Sequence, residues 1–159
     1  MLKTLLAVAA AALVVAPASA ASAQPAPVDL VGLDFHLING YSHRCLAQGA
    51  GPAVVQKQCS SSVSDRWRLA PAGVPNVFQI RHVGTEECLT AGPSLGGCAE
   101  SPARRWRLLD SDDPYAQVQN LGTGTCLTAG AAGDVTQGRC DDLRSRRWTV
   151  RVVSIPFLS

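Results

Sequence analysis

The chain has 159 residues, which bounds it to one domain of ordinary size. Its formal net charge is +2 and 16% of its residues are charged, which leaves out the strongly basic footprint of a nucleic-acid-binding domain. Twelve of the fourteen basic residues are arginine, a bias that a GC-rich genome produces as readily as a binding role.

From the N-terminus, Met1-Leu2-Lys3 is a short positive start and Leu5 to Val15 is unbroken apolar sequence. Pro17 breaks the run, and Ala18-Ser19-Ala20 and Ala21-Ser22-Ala23 both offer small-x-small cleavage sites. This layout predicts a secretory signal peptide over residues 1–23. A membrane span needs about 20 apolar residues, so the run is too short, and no later stretch qualifies. Removing residues 1–23 takes away Lys3 and no acid, which leaves a charge of +1. Residues 24–33 are Pro- and Ala-rich and without pattern, and are expected to be a flexible leader. The expected localisation is secreted.

The rest is a threefold repeat. With Cys45, Cys88 and Cys126 aligned, Phe35, Phe78 and Ala116 stand ten residues before, Leu37, Ile80 and Val118 eight before, and Asn39, His82 and Asn120 six before. Leu46, Leu89 and Leu127 follow directly, and Gly49, Gly92 and Gly130 stand four after. Cys59, Cys98 and Cys140 come next, each eight residues ahead of Trp67, Trp106 or Trp148. The repeats run near 34–72, 77–113 and 114–153, with a tail over 154–159. Their joints, Pro71-Ala72-Gly73-Val74-Pro75 and Asp110-Ser111-Asp112-Asp113-Pro114, are rich in turn residues.

Inside each repeat the pattern is β. Phe35-His36-Leu37-Ile38 and Phe78-Gln79-Ile80-Arg81 have the period of a half-buried strand. Four short strands per repeat predict about twelve in an all-β fold. Three four-stranded units are too few for a propeller, whereas a barrel closed by hairpin pairs fits. In Arg66-Trp67-Arg68 and Arg105-Trp106-Arg107, period two turns Trp to the core and both Arg to water. Trp67, Trp106 and Trp148 are thus expected to share one core layer. Each would contribute roughly 3 kcal/mol or more, at about 25 cal/mol per Å² buried.

Six cysteines in a short exported chain read as a disulfide framework. Each repeat must solve the same geometry, so threefold repetition selects Cys45–Cys59, Cys88–Cys98 and Cys126–Cys140. A bridged loop of about 15 residues is worth roughly 3 kcal/mol in the chain-entropy model.

This pattern resembles the ricin B-chain-type lectin β-trefoil. The likeness rests on Phe35-His36-Leu37-Ile38-Asn39 and Val118-Gln119-Asn120, on Cys-Leu in each repeat, on Gly51-Pro52-Ala53-Val54 and on the repeated Trp. It covers roughly residues 34–153. It implies a β-trefoil and a non-catalytic, carbohydrate-binding role without cofactor or metal. In that family a galactose-binding lobe usually has Asp two residues after the first Cys. Here Ala47, Thr90 and Thr128 stand there. Its aromatic platform, two before the second Cys, is replaced by Lys57, Gly96 and Gly138, and its Gln before Trp by Asp65, Arg104 and Arg146. A sugar site needs both a polar acceptor and a ring to lie on, and no lobe has both at those places. Repeat two also has four residues fewer between its cysteines. The lobe that keeps most is repeat three, with Thr128, Asp134, Thr136, Gln137 and Arg146 as candidate ligand-binding residues. Arg146 in place of an amide implies a glycan carrying negative charge.

Other constellations are weaker. His36, His43 and His82 show no metal spacing, and His36 is expected to be an ordinary surface or edge residue. Asp110-Ser111-Asp112-Asp113 lacks the Gly and distant Glu of a calcium loop. Nucleophile-elbow, zinc-protease and phosphate-loop motifs are absent from the sequence. Arg104, Arg105, Arg107, Arg144, Arg146, Arg147 and Arg151 either bind anionic groups or form a solvated face interleaved with acids. Two function classes follow: a glycan-binding module, and a trefoil kept for protein contact, such as an inhibitor or a toxin or adhesin accessory subunit.

Overall fold

The computed structural model describes residues 30–109 and 114–154. The expected signal segment, residues 24–29 of the leader, the Asp110–Asp113 turn and residues 155–159 of the tail lie outside them. Repeat one holds β1 (Asp34–Asn39), β2 (Cys45–Gln48), β3 (Val54–Lys57) and β4 (Trp67–Pro71). Repeat two holds β5 (Val77–His82), β6 (Cys88–Thr90), β7 (Ser94–Gly96) and β8 (Trp106–Leu109). Repeat three holds β9 (Ala116–Asn120), β10 (Cys126–Ala129), β11 (Val135–Gly138) and β12 (Arg147–Ser154).

The outer strands of the repeats close a barrel. β1 pairs with β4, β4 with β5, β5 with β8, β8 with β9, β9 with β12, and β12 returns to β1. The hairpins β2–β3, β6–β7 and β10–β11 form the three remaining units. This is a β-trefoil. Closure leaves the six barrel strands without an open edge. The disulfides are Cys45–Cys59, Cys88–Cys98 and Cys126–Cys140, one per repeat.

The three Trp side chains are fully buried and pack with Leu46, Leu89 and Leu127. Each indole N–H needs an acceptor once buried. Trp67 donates to the Leu46 carbonyl at 2.8 Å, Trp106 to that of Leu89 at 2.9 Å and Trp148 to that of Leu127 at 3.0 Å. The barrel strand carrying the Trp is thereby tied to the hairpin of its own repeat. The arginine before each Trp turns back on the preceding loop. Arg66 donates to the Ser61 carbonyl at 2.8 Å, Arg105 to Glu100 at 3.1 Å and Arg147 to Asp142 at 2.6 Å. These arginines are half-buried rather than turned to water.

A second threefold device orders the turn after the first strand. The Asn39 carboxamide donates to the Ser145 carbonyl and accepts from the backbone N–H of Tyr41 and Ser42. Asn120 repeats this with Ala103, Gly122 and Thr123. In repeat two His82 takes the place. Its Nε2 lies 3.2 Å from the Ser64 carbonyl, and its Nδ1 accepts from Thr85 N–H at 3.2 Å. Only the neutral ring with its proton on Nε2 can do both. Burial pushes the His82 pKa below 6.5, against the opposing pull of the carbonyls around it.

One expectation needs correction. His36 is buried, not at the surface. Although it faces out of the barrel, the Cys45–Cys59 bridge and Asp65 cover it, with Nε2 at 3.5 Å from Asp65 Oδ1 and Nδ1 at 3.3 Å from Arg151. Burial, aided by Arg151 and Arg66, lowers its pKa despite Asp65. The corresponding residues, Gln79 and Gln117, also lie against their repeats' bridges. The last residues of the segment expected as leader, from Leu30 on, touch the fold. Val31 bridges to Leu69, Gly32 N–H donates to the Leu69 carbonyl at 3.4 Å, and Leu30 packs on the core.

Trp67→Ala, Trp106→Ala and Trp148→Ala should each destabilise by about 3–5 kcal/mol, the usual loss for a buried large aromatic. Denaturant melts of the single variants measure this. The histidines add a pH dependence. Below 6.5 the unfolded chain takes up protons that folded His82 and His36 resist. Stability is therefore full above that pH and declines as pH falls below it. His36→Gln with His82→Asn, the residues of the sibling repeats, should flatten this decline in melts across pH. The lost contact of His82 with the edge of Trp67 would cost about 1 kcal/mol at neutral pH.

Candidate functional site

The β10–β11 hairpin carries four of the five candidate residues. Pairing sets Thr128 opposite Thr136 and Leu127 opposite Gln137, so successive residues alternate between the two faces. Thr136 is exposed, whereas Thr128 is half-buried and donates its hydroxyl to the Cys126 carbonyl at 3.0 Å. Asp134 is exposed at the hairpin turn, and its carboxylate fills the space a side chain at Gly130 would need. Gln137 reaches the neighbouring repeat, where its Oε1 accepts from Gly92 N–H at 3.0 Å. Arg146 is ion-paired with Asp141 and lies over Gly138, where an added Cβ would stand 3.0 Å from Nη2. Thr128 and Thr136 are thus neighbours, while Gln137 and Arg146 are committed elsewhere.

Hydrogen bonds also hold Asp141. Burial acts to raise its pKa, but bonds from Arg146 and the Leu143 N–H, with the charges of Arg146 and Arg139, hold it below its ordinary 3.8.

The equivalent positions of the other lobes are closed in similar ways. Ala47 is fully buried. The Thr90 hydroxyl lies 3.2 Å from the Ala91 carbonyl and 2.8 Å from the Ser94 hydroxyl. Lys57, at a platform position, donates to the Gln48 carbonyl at 2.6 Å.

The hairpins lock to one another in cyclic order. Gln56 N–H donates to the Gly133 carbonyl, tying repeat one to repeat three. Leu95 N–H donates to the Pro52 carbonyl, tying two to one. Gln137 to Gly92 ties three to two. Gln56 Nε2 adds bonds to the carbonyls of Gly130 and Asp134, at 2.9 and 2.7 Å. These glutamines link neighbouring repeats.

The arginine set divides in the same way. Arg104 bonds Ser101, Arg105 bonds Glu100, Arg146 bonds Asp141, Arg147 bonds Asp142, and Arg151 contacts His36. Among the described residues, the side chains of Arg107 and Arg144 are exposed and have no partner.

One concavity lies elsewhere. A cleft of about 230 Å³ at the joint of repeats three and one is lined by Gly40, Tyr115, Asp142, Arg144 and Arg147. Tyr115 is 37% exposed, and Asp142 is exposed even while it accepts from Arg147. Arg144 and Arg147 belong to the arginine set the sequence singles out, whereas sequence reading by motif misses Gly40, Tyr115 and Asp142, because none falls in the resembled pattern. Comparing each position with its counterparts in the other repeats is the signal that could have found them.

The only grouping of possible metal ligands among the described residues is His36 with Cys45 and Cys59, within 4.8 Å of one another. Both sulfurs are bonded to each other and present no thiolate for a metal.

No family model matches the chain, and no curated protein does. Solved structures do. A structure described as the BEL β-trefoil is 14% identical with a TM-score of 0.66, over 77% of this chain and 94% of that one. A Polyporus squamosus lectin bound to Neu5Acα2-6Galβ1-4GlcNAc is 17% identical with a TM-score of 0.66, over 77% of this chain and 49% of that one. The Haemophilus ducreyi cytolethal distending toxin is 18% identical with a TM-score of 0.67, over 83% of this chain and 90% of that one. At these identities the likeness establishes the fold, a β-trefoil.

Arg146→Gln, which restores the amide of the resembled pattern, should let the Asp141 pKa rise toward 3.8. A carboxylate titration followed by NMR reads this shift.

Proposed function

We propose that the protein is a secreted, non-catalytic carbohydrate-binding module of the ricin B-chain lectin type. Its sites are altered so that it binds neutral galactosides weakly and favours glycans carrying negative charge. The fold supports a lectin reading, since a lectin shares it. One observation carries the altered preference. Where a galactose-binding lobe would present a carboxylate, Ala47 is buried and the hydroxyls of Thr90 and Thr128 are spent on nearby groups of their own hairpins. A sugar arriving there would lose water-bonded hydroxyls without an acceptor to replace them.

The second reading is a trefoil that contacts a protein partner, as an inhibitor or an accessory subunit. The likeness to a toxin chain over 90% of its length supports keeping it.

Calorimetry separates these readings. Galactose and lactose should bind no tighter than about 1 mM, or 4 kcal/mol, and sialylated or sulfated glycans more tightly. Micromolar binding to a neutral galactoside would overturn the altered preference. Binding to neither class would favour the protein-contact reading.

A further inference from the structure

The trefoil has three equivalent inter-repeat joints, and their backbone equivalence can be read from hydrogen bonds. Gly40 N–H donates to the Arg147 carbonyl at 2.8 Å, Val83 N–H to that of Arg66 at 3.0 Å, and Leu121 N–H to that of Arg105 at 2.9 Å. The three joints therefore serve as controls for one another.

At two joints the side chains at the Gly40 and Tyr115 positions are buried or half-buried, while those at the Arg144 position are exposed but uncharged. Val83 and Leu121 are half-buried at the position of Gly40. At the position of Tyr115, Asp34 is buried and paired with Arg68 at 2.6 Å, and Val77 is buried. At the position of Arg144 stand Val63 and Pro102. The joint of repeats three and one departs at all three places. Gly40 removes a side chain, Tyr115 adds a ring 37% exposed, and Arg144 adds an exposed guanidinium without a partner among the described residues. The changes work together. A Cβ at Gly40 would stand 3.3 Å from the Tyr115 ring and from the Arg144 carbonyl, so a side chain there would crowd the ring.

We infer that this cleft is a binding site for one sugar residue that carries a carboxylate or a sulfate. The inference rests on the glycan-binding reading and names where that binding happens. The Tyr115 ring supplies an apolar face for sugar C–H groups, the combination that sugar sites need. Arg144 supplies a forked donor for an oxyanion. Asp142, oriented by Arg147 at 2.6 Å yet still exposed, supplies an acceptor for hydroxyls. Asp142 is paired with Arg147, so among the described lining residues Arg144 is the cation with no acid beside it. At about 230 Å³ the cleft is below the roughly 300–1,000 Å³ of drug-sized pockets, which suits one terminal residue rather than a long chain.

The test is calorimetry with sialyllactose for the carboxylate, 3-sulfogalactose for the sulfate and lactose as the neutral control. It uses the whole protein and its Arg144→Ala, Tyr115→Ala, Val63→Ala and Asp134→Ala variants, each checked for an unchanged melt. A charged sugar should bind the parent protein more tightly than lactose. Arg144→Ala should weaken that binding about tenfold or more, as the loss of a charge-assisted contact implies. Tyr115→Ala should weaken charged and neutral ligands alike, and Val63→Ala, at a sibling joint, should change nothing. If Tyr115→Ala alters the melt, binding that Arg144→Ala leaves intact still overturns the site. Charged-sugar binding lost in Asp134→Ala but kept in Arg144→Ala would place it in the repeat-three hairpin and overturn the cleft alone. No binding of any glycan by the parent protein would overturn the cleft together with the glycan reading.

Discussion

The hydrogen bond from each indole N–H to the carbonyl of the leucine after the first cysteine organises this fold. It does two things in one contact. It satisfies the polar atom of a side chain otherwise surrounded by hydrocarbon. It also fixes the barrel strand against the hairpin of its own repeat. The disulfide that starts at the same strand locks the hairpin from its outer side, so each repeat is held twice at neighbouring residues. Barrel closure, the hairpin cycle and the positions of every candidate ligand follow from that anchoring.

Symmetry then decides which positions can vary. The three Trp and the three Leu meet in one core, where a change in any copy leaves a void or a clash for all. The Asn39 and Asn120 position tolerates His82 because imidazole offers the same donor and acceptor, though only while it is neutral. The interchange is chemical rather than geometric: one ring proton stands in for an amide N–H. Its consequence is that this turn is sensitive to acid in the second repeat, whereas the Asn39 and Asn120 turns carry no titrating group at that position.

Most of the architecture was legible in the sequence because it is written three times. Strand count, disulfide pairing and the inward Trp all follow from a register that recurs around Cys45, Cys88 and Cys126. His36 was not legible. Alternation put it on the outer face of β1, correctly, but alternation says nothing about whether a loop covers that face, and here the bridge to Cys59 brings Asp65 over it. The candidate site was legible only in part. Thr128 and Thr136 meet as strand pairing requires, whereas Gln137 is drawn to Gly92 of another repeat. Contacts between repeats depend on the cyclic order of the hairpins, and no spacing within one repeat encodes that order. The same reason hides Gly40 and Tyr115, which lie 75 positions apart and meet only when the barrel closes.

A repeated fold has two kinds of place where function can be added. Hairpin interiors are one, and here they are closed by their own hydroxyls and by the links between repeats. The joints are the other. Each joint needs only its backbone hydrogen bond to hold, the bond that Gly40, Val83 and Leu121 all make whatever their side chains. Side chains there lie outside the shared core cluster, so one joint can lose a side chain and gain a ring and a charge without disturbing the other two. The departures from symmetry among the exposed residues therefore carry more information about binding than the motifs that every repeat shares.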